Sequence, residues 1–432
     1  MSRRSLTPLR RASRLRGAAL AVVAALLVAA APPRPADCRP VAAGSDLARL
    51  LREARSGERF CLAPGSYPGP VRLDGVVVWG PREAVIASPG EGTTVRLEGE
   101  GAALLGVTVD GSGGRFDLLD AAVHVTGRAG RVEGVAIRNA TFGILVEKAE
   151  GAQVRGNEVQ GDPGRTLGLR GDGIRLWEAS GCVVEDNRVR DSRDVVLWYA
   201  SGNRLAGNEV EGGRYGAHLM YSHDNEIVGN RFVRNVTGVF LMYSRGIALR
   251  DNLFAGAGGA AGLGLGLKES GGVVATGNHF VHNTIGLYLD TSPLWPDDRN
   301  RFEGNSFRLN QVAVSFLGRA AGNAFLANEF ADSRMHVEVD GHGDAREAEW
   351  RGNRFDDYAG YDLDGDGVGD VPYELRSLAA DLVAVRPELA FYRGTLALSL
   401  AEAIGRLVPL VEPRRVLVDP EPRLAWEGAR AD

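Results

Sequence analysis

The sequence predicts an all-β protein, a right-handed parallel β-helix followed by a short C-terminal helical tail, and three observations support this fold. An asparagine recurs through the middle of the chain at intervals of 21 to 30 residues. Between the asparagines, short runs alternate apolar and polar residues, which is the pattern of strands with one buried face. The chain also contains 58 glycines among its 432 residues, which implies many tight turns.

The asparagine repeat is locked in phase to an apolar position. The asparagines are Asn157, Asn187, Asn208, Asn230, Asn252, Asn278, Asn305, Asn328 and Asn353. Two places after each of them stand Val159, Val189, Val210, Phe232, Phe254, Phe280, Phe307, Phe330 and Phe355. Repeats that must stack to bury their apolar face describe a solenoid of successive coils. In such a stack asparagine tolerates the turn conformation, and its amide can hydrogen-bond to the coils above and below.

The other half of each repeat aligns on a run that begins at Gly143, Gly173, Asp194, Gly216, Gly238, Gly264 and Gly286. The residues one and three places later are apolar and are predicted to point inward. The residues two places later should point outward and are Leu145, Arg175, Val196, His218, Phe240, Gly266 and Tyr288. Four places later come Glu147, Trp177, Trp198, Met220, Met242, Lys268 and Asp290. Five places later come Lys148, Glu178, Tyr199, Tyr221, Tyr243, Glu269 and Thr291.

The N-terminus has the composition of a signal peptide. Residues 1–17 carry six arginines and no acid, and residues 18–31 are an unbroken apolar run, shorter than the span of about 20 that a membrane helix needs. We therefore expect export to the periplasm, by either the general or the twin-arginine route. The predicted units are a signal peptide (1–31), an N-terminal cap (32–61), the β-helix (62–357), an acidic loop (358–374) and a helical tail (375–432).

Charge and cysteine content narrow the function classes. The net charge of −5 makes nucleic acid an unfavourable partner, and none is predicted. Export makes a disulfide between Cys38 and Cys61 plausible, with a lipid-anchored Cys38 as the alternative. Cys182 falls at an apolar repeat position and is interpreted as a buried, inert thiol.

The outward columns hold the candidate metal ligands. Met220 and Met242 occupy the same place in adjacent coils, and His218 precedes Met220 by two residues in one strand. Thioether and imidazole ligands suit Cu(I), so this trio is a candidate transient copper site. The alternative interpretation is an apolar patch for a protein partner, since methionine and tryptophan are also interface residues. His124, His279, His282, His336 and His342 are interpreted as ordinary polar positions outside this column.

Several segments resemble the periplasmic NosD-type proteins. The residues that carry the resemblance are Gly171–Trp177, Trp198-Tyr199, Arg214–Ser222 with its Met-Tyr-Ser motif, Leu241–Arg245 with a second such motif, Gly286–Pro293 and the acidic segment Tyr361–Tyr373. The resemblance implies a non-enzymatic accessory protein that assists copper-centre assembly in nitrous oxide reductase. It also implies partnership with the ATPase and membrane permease of an ABC-type complex and with a copper chaperone. Trp177, Trp198, Tyr199, Tyr221 and Tyr243 are the predicted partner-binding residues. Ala217 and Leu219 are smaller than the family pattern suggests, which concerns packing more than the ligands.

A polysaccharide lyase, hydrolase or epimerase is the rival prediction. Such enzymes need carboxylates, alone or with a basic residue, on one outward face. Asp172, Asp194 and Arg175 keep this alternative open, and Trp177 and Trp198 could stack on sugar rings.

Two further elements are predicted after the repeats. Asp362, Asp364, Asp366 and Asp370 match the first part of a Ca²⁺-binding loop, although Tyr373 stands where a bidentate glutamate is expected; the alternative is a solvated acidic turn. The tail should form a helix with an apolar stripe and an ion pair on another face, ending at Pro409. These helix residues are Leu396, Leu400, Ile404 and Leu407 for the stripe and Glu402 and Arg406 for the pair. The tail either caps the open solenoid or tethers it to the permease, and the part beyond Pro409 is the predicted tether.

Overall fold

A computed structural model of the protein describes residues 32–340, 344–378 and 413–424, together with residues 382, 386–392, 395–397 and 400. These residues form a parallel β-solenoid of about 14 coils built from three long sheets, so the predicted fold class is confirmed. The predicted signal peptide, residues 1–31, lies outside the described part of the chain.

Each complete coil contributes one strand to each sheet, the coils at the two ends contribute fewer, and neighbouring strands within a sheet are parallel. Sheet 1 has 14 strands, Arg39–Val41, Arg59–Leu62, Val77–Trp79, Ala103–Leu105, Arg131–Glu133, Gln153–Arg155, Val183–Glu185, Arg204–Ala206, Glu226–Val228, Ala248–Arg250, Val274–Thr276, Asn300–Glu303, Asn323–Leu326 and Glu349–Arg351. Sheet 2 has 12 strands, Val71–Asp74, Val95–Glu98, Ala121–Arg128, Phe142–Glu150, Ile174–Trp177, Asp194–Trp198, Tyr215–Met220, Thr237–Met242, Leu263–Lys268, Ile285–Asp290, Val312–Leu317 and Met335–Asp340. Sheet 3 has 13 strands, Gly65–Pro68, Ala84–Ala87, Thr108–Asp110, Ala136–Arg138, Glu158–Gln160, Arg188–Arg190, Glu209–Glu211, Arg231–Val233, Leu253–Ala255, His279–Val281, Ser306–Arg308, Glu329–Ala331 and Arg354–Phe355.

The solenoid interior is filled by the inward columns that the repeat predicts. The residue two places after each repeat asparagine is buried in every coil. From Phe232 to Phe355 this column is a continuous stack of phenylalanine rings, with centroids 4.6 to 5.5 Å apart. Burial of one such ring stabilises the fold by about 1.5 to 3 kcal/mol, so the column contributes much of the cohesion between coils.

The asparagines form the predicted ladder. Asn230, for example, donates from Nδ2 to Asn252 Oδ1 at 3.0 Å and to Leu205 O at 3.0 Å, and its Oδ1 accepts from the backbone N–H of Asn208 at 2.9 Å. Every polar atom of a buried amide thus has a partner, as a dry interior requires. The turn conformation belongs to the preceding residue instead, because φ is positive at Gly229 and not at Asn230. Most coils therefore use glycine for the turn and asparagine for the ladder, while Asp186, Asp251 and Ala327 take the turn position in the other coils.

The N-terminal end is closed by the short helix Leu47–Arg52, whose Leu47 and Leu51 are buried. Asp46 caps this helix by accepting a hydrogen bond from the Arg49 N–H at 2.9 Å. Cys38 and Cys61 form the predicted disulfide with a Cα–Cα distance of 5.5 Å. Strand Arg39–Val41 already pairs in sheet 1, so the solenoid begins one coil before residue 62.

Cys182 is buried and forms no disulfide, and burial raises the pKa of its thiol.

The C-terminal end is closed by strands. Tyr373–Ser377 pairs antiparallel with Arg414–Asp419, and Asp419 Oδ2 accepts from Asn353 N at 2.9 Å and Nδ2 at 2.8 Å. The asparagine ladder thus ends on this aspartate. Within the segment beyond Pro409, which is the predicted tether, Arg414–Asp419 packs on the last coil. Short 3-10 turns occur at Leu167–Leu169, Ala345–Glu347 and Pro387–Tyr392.

The predicted C-terminal helix is only partly within the described residues. Leu396 and Leu400 are helical, and their side chains are 90% and 63% exposed. The remaining helix residues, Glu402, Ile404, Arg406, Leu407 and Pro409, lie outside the described part of the chain. The two leucines therefore do not bury their apolar side chains as a cap over the solenoid would.

Candidate functional site

The register of sheet 2 brings the proposed copper ligands together. Trp198, Met220 and Met242 are successive partners across three strands, and His218 pairs with Phe240 two places earlier. His218 Nε2 lies 3.2 Å from Met242 Sδ, while Met220 occupies the neighbouring rung of the same column. The period-two alternation of these strands is what points the three side chains to one side.

His218 points away from the solenoid interior, yet it is only 6% exposed. The rings of Tyr215 and Trp198 cover it, with centroids 4.7 and 5.7 Å from the imidazole. Burial lowers the pKa of His218 to about 4, because the imidazolium ion loses its hydration. The imidazole is consequently neutral at physiological pH, so one of its two nitrogens carries a lone pair.

The tautomer of His218 is set by Trp198. The indole Nε1–H donates to His218 Nδ1 at 3.4 Å, and a neutral imidazole that accepts at Nδ1 carries its proton on Nε2. In this state the Nε2–H faces the Met242 sulfur. Tyr215 and Phe240, which help to cover the ring, were not among the predicted site residues. A signal for Phe240 was present in its position beside His218 in the outward column.

A buried guanidinium lies between the two tryptophans of the site. The Arg175 Cζ atom is 4.8 Å from the ring centroid of Trp177 and 4.7 Å from that of Trp198. Arg175 Nη1 also pairs with Asp172 Oδ2 at 3.2 Å. Stacking and ion pairing together fix the orientation of both indole rings.

Asp172 and Asp194 are both engaged by arginines. Their side chains are 0% and 1% exposed. Arg193 donates to Asp172 Oδ1 from Nε at 3.0 Å and Nη2 at 2.8 Å, while Arg214 donates to Asp194 Oδ1 from Nε at 3.1 Å. Burial raises the pKa of the Asp172 carboxyl. Neither carboxylate is accessible to a polymeric substrate.

The other predicted partner-binding residues form a stacked column beside the metal ligands. Tyr199 and Tyr221 stack at 5.4 Å, and Tyr221 and Tyr243 stack at 4.9 Å. Tyr199 and Tyr221 are 50% and 42% exposed. We name the set Trp177, Trp198, Tyr199, Tyr221 and Tyr243 the aromatic ridge.

The column that contains the three tyrosines has left-handed backbone. Its φ angles lie between 46° and 51° at Lys148, Glu178, Tyr199, Tyr221, Tyr243, Glu269 and Thr291. This conformation costs about 1 to 2 kcal/mol for a residue with a side chain. Stacking between the tyrosine rings helps to offset that cost, and it fixes the direction in which the ridge faces.

The acidic loop is organised around Asp362. Its two carboxylate oxygens accept hydrogen bonds from the backbone N–H groups of Gly365 at 2.7 Å and Gly367 at 2.9 Å. These bonds, and the one from Gly367 most of all, lower the pKa of the Asp362 carboxyl. Carboxylate oxygens of Asp362, Asp364 and Asp366 lie within 4.8 Å of one another. Asp370 instead accepts from the Leu363 N–H at 2.6 Å. Three of the four predicted Ca²⁺ ligands therefore converge.

Two histidines differ from their predicted surroundings. His124 lies in the same outward column as His218, because it pairs in register with Leu145, which is a member of that column. The sequence alignment missed it, because the run of its coil does not begin with glycine. Its Nε2 is 3.0 Å from Glu147 Oε2, and burial lowers its pKa. His336 is buried and contacts two aspartates. His279 and His282 are exposed as expected, and His342 lies outside the described residues.

Comparisons with known proteins find similar sequences. Residues 156–360 match the family described as periplasmic copper-binding protein (NosD). The probable ABC transporter binding protein NosD of Stutzerimonas stutzeri is 27% identical over 377 residues, covering 76% of this chain and 78% of the relative. The protein of the same name from Pseudomonas aeruginosa is 27% identical over 429 residues, covering 82% and 85%.

The fold places the chain among the parallel β-solenoid proteins. Within that class, the sequence matches are to NosD proteins, so the chain is similar to the NosD-type proteins. Among the described residues, no helix has the length and apolar composition to span a membrane.

Solved structures show the same architecture. The mannuronan C-5 epimerase AlgE6 A-module of Azotobacter vinelandii gives a TM-score of 0.52 at 16% identity, covering 70% of this chain and 92% of that module. The catalytic unit of a GH87 α-1,3-glucanase from Streptomyces thermodiastaticus gives 0.53 at 15% identity, covering 74% and 70%. The TM-scores establish the shared fold. Sequence identities this low carry no inference about activity.

Proposed function

We propose that this protein is a non-enzymatic, periplasmic accessory factor for copper-centre assembly in nitrous oxide reductase. The observation that carries the proposal is the approach of His218 Nε2 to Met242 Sδ at 3.2 Å, with Met220 on the neighbouring rung. The copper-binding description of the matched family supports it. The cargo is Cu(I), received from a copper chaperone and passed to the reductase.

The ligand set suits transfer. Two thioethers and a neutral imidazole are soft, uncharged donors that favour Cu(I) over hard cations such as Mg²⁺. The low pKa of His218 removes competition from protons at physiological pH. The set contains no thiolate, so copper is held without the strong bonds that would slow its release.

The aromatic ridge is the proposed docking surface for the reductase. Tyrosine and tryptophan are enriched at binding hot spots, because they bury a large area with few rotatable bonds. The ridge adjoins the metal ligands through Trp198, which contacts His218. A partner bound on the ridge would therefore bring its own copper ligands next to the site.

The proposed contact with the permease and ATPase of an ABC-type complex involves the segment that leaves the last coil. Phe391, Leu396 and Leu400 are 87%, 90% and 63% exposed. We assign these exposed apolar side chains to the contact with the partner. The names of the two relatives, which describe ABC transporter binding, support this assignment.

Two other predictions receive different support. The polysaccharide-enzyme alternative loses its proposed carboxylates, because Asp172 and Asp194 are buried under arginines. Assays with uronate polymers test it directly.

We retain the proposal that Asp362, Asp364 and Asp366 bind Ca²⁺ as a structural clip, with Asp370 as a support for the loop. Calorimetric titration with millimolar Ca²⁺ tests the clip, and the absence of heat would contradict it.

The copper proposal predicts a specific assembly defect. Met220→Ala combined with Met242→Ala should leave the β-helix folded, since both side chains lie outside the solenoid core, while reductase from these cells lacks its copper centre. Copper content and the visible absorption of purified reductase measure the effect. Met335→Ala is the matched control, because Met335 lies in the last strand of sheet 2, away from His218. Full copper loading in the double variant would refute the site.

A further inference from the structure

A third group of potential ligands lies at the C-terminal end of the solenoid. His336 belongs to the last strand of sheet 2, at the place that Gly264, Gly286 and Ala313 occupy in earlier coils. A Cβ at Gly286 would lie 2.6 Å from Ala313 O, so the next coil leaves little room for a large side chain there. No further strand of sheet 2 covers His336 within the described residues, so an imidazole fits.

The imidazole faces two carboxylates from the chain that leaves the last strand of sheet 3. His336 Nε2 lies 3.0 Å from Asp356 Oδ1 and 3.3 Å from Asp357 Oδ1, and one ligand atom from each residue lies within 4.8 Å of the others. Two ligands bound at about 2.1 Å to one tetrahedral or octahedral metal are about 3.0 to 3.4 Å apart. The two nitrogen-to-oxygen distances fall in this range.

The carboxylates are held in place by neighbours outside the trio. The Asp332 N–H donates to Asp356 Oδ2 at 2.5 Å, and the Tyr373 hydroxyl donates to Asp357 Oδ1 at 2.9 Å. Carboxylates oriented by such hydrogen bonds beside an imidazole are the arrangement that supports metal binding.

We propose that His336, Asp356 and Asp357 bind a divalent transition-metal cation, with Zn²⁺ as the best match. One nitrogen and two carboxylate oxygens form a harder donor set than His218 with two thioethers, so this site selects against Cu(I). His336 is 6% exposed, whereas the Asp356 and Asp357 side chains are 34% and 51% exposed, which leaves the metal open to water on one side. The cation joins the last strand of sheet 2 to the segment that leads into the C-terminal closure.

The test is Zn²⁺ binding by the full chain after metal removal, measured by competition with a chromophoric chelator. Wild type should bind one Zn²⁺ at this site, and Co²⁺ in its place should give the absorption of nitrogen and oxygen coordination. Asp356→Asn with Asp357→Asn should weaken binding by about 100-fold or more, since even supporting residues change metal affinity by about 10- to 100-fold. The amide oxygen introduced by Asp357→Asn would still accept the Tyr373 hydrogen bond, so the fold should persist, as circular dichroism can verify.

Two controls separate this site from the others. Asp362→Asn with Asp366→Asn disables the acidic loop and should leave the Zn²⁺ affinity unchanged. Met220→Ala with Met242→Ala disables the proposed copper site and should also leave it unchanged. Wild type that binds no Zn²⁺ at 100-fold molar excess, or an Asp356/Asp357 double variant that retains wild-type affinity, would overturn the proposal.

Discussion

His218 is the residue whose surroundings most directly determine the proposed chemistry. Its imidazole lies outside the solenoid core, yet aromatic rings bury it and hold its pKa near 4. Gly266, beside Phe240 in the next coil, leaves space for that ring, because a Cβ at Gly266 would lie 2.4 Å from Phe240 Cδ2. Gly266 therefore makes room for Phe240, and the burial of His218 beneath such rings keeps its imidazole neutral.

The low pKa predicts how copper affinity depends on pH. A proton and Cu(I) compete for the same imidazole lone pair, so affinity falls only when the pH approaches the pKa. With the pKa of His218 at about 4, Cu(I) affinity should change little between pH 7 and pH 5 and fall below that. An imidazole with the ordinary pKa of about 6.5 would lose roughly tenfold by pH 5.5.

Chelator competition across this pH range measures the effect, and Phe240→Ala is the informative control. Removal of that ring should expose His218 and return its pKa toward the ordinary value, so the decline in affinity should begin near pH 6.5. A wild-type protein whose affinity already falls about fivefold between pH 6.5 and pH 5.5 would contradict this account.

The hydrogen bond from Trp198 predicts a second effect. Copper at His218 Nε2 requires the ring proton to move to Nδ1, where it would face the indole N–H. Trp198→Phe retains an aromatic ring but removes the indole N–H that holds the ring proton on Nε2. The net free energy of one hydrogen bond predicts about two- to tenfold tighter Cu(I) binding by this variant. Trp177→Phe is the control, because its Nε1–H donates to Glu178 instead. Equal or weaker binding by Trp198→Phe would show that the tryptophan does not oppose the metal.

At the scale of the element, the asparagine ladder shows what a repeat can and cannot reveal. The spacing of Asn230 predicts its burial and its bonds to neighbouring asparagines, because parallel strands fix the vertical register. The same spacing placed His218 beside the methionine column. It did not predict that His218 is buried, since this depends on the tilt of Tyr215 and Phe240. The acids around His336 were also missed, because the repeat ends there.

The ladder predicts a large cost for one substitution. Asn230→Leu would remove the side-chain hydrogen bonds to the Leu205 carbonyl and from the Asn208 N–H in a dry interior, whereas Asn252 Oδ1 would still accept from the backbone N–H of residue 230. At about 1 to 3 kcal/mol for each of the two affected backbone groups, destabilisation of at least about 2 kcal/mol is expected. Urea denaturation measures it, with exposed Arg231→Ala in the same coil as the control. A change below about 1 kcal/mol would mean that water replaces the amide.

At the scale of the whole molecule, the two ends of the solenoid are built differently. The N-terminal end carries a helix and a disulfide, whereas the C-terminal end carries an antiparallel pair of strands. The chain between those two strands includes the exposed Phe391, Leu396 and Leu400. The strands at the two ends of this segment are paired with each other, while these three apolar side chains are exposed.

The transporter proposal is tested on that segment. Phe391→Ala, Leu396→Ala and Leu400→Ala together should preserve the melting temperature and abolish co-purification with the membrane permease, because burial of large side chains dominates such contacts. Leu169→Ala is the matched control, since Leu169 is 63% exposed on a distant coil. Undiminished co-purification of the triple variant would place the contact elsewhere.

The stacked coils also determine distances along the molecule. Five strands of sheet 2 follow the strand that contains His218, and at about 4.8 Å per strand the last of them lies roughly 24 Å away along the axis. Loss or gain of a whole coil in this interval would change that separation by one fixed increment and leave the local bonding of both ends intact. The distance between the proposed copper ligands and the C-terminal end of the solenoid can therefore vary among relatives only in discrete steps, each one repeat of sequence long.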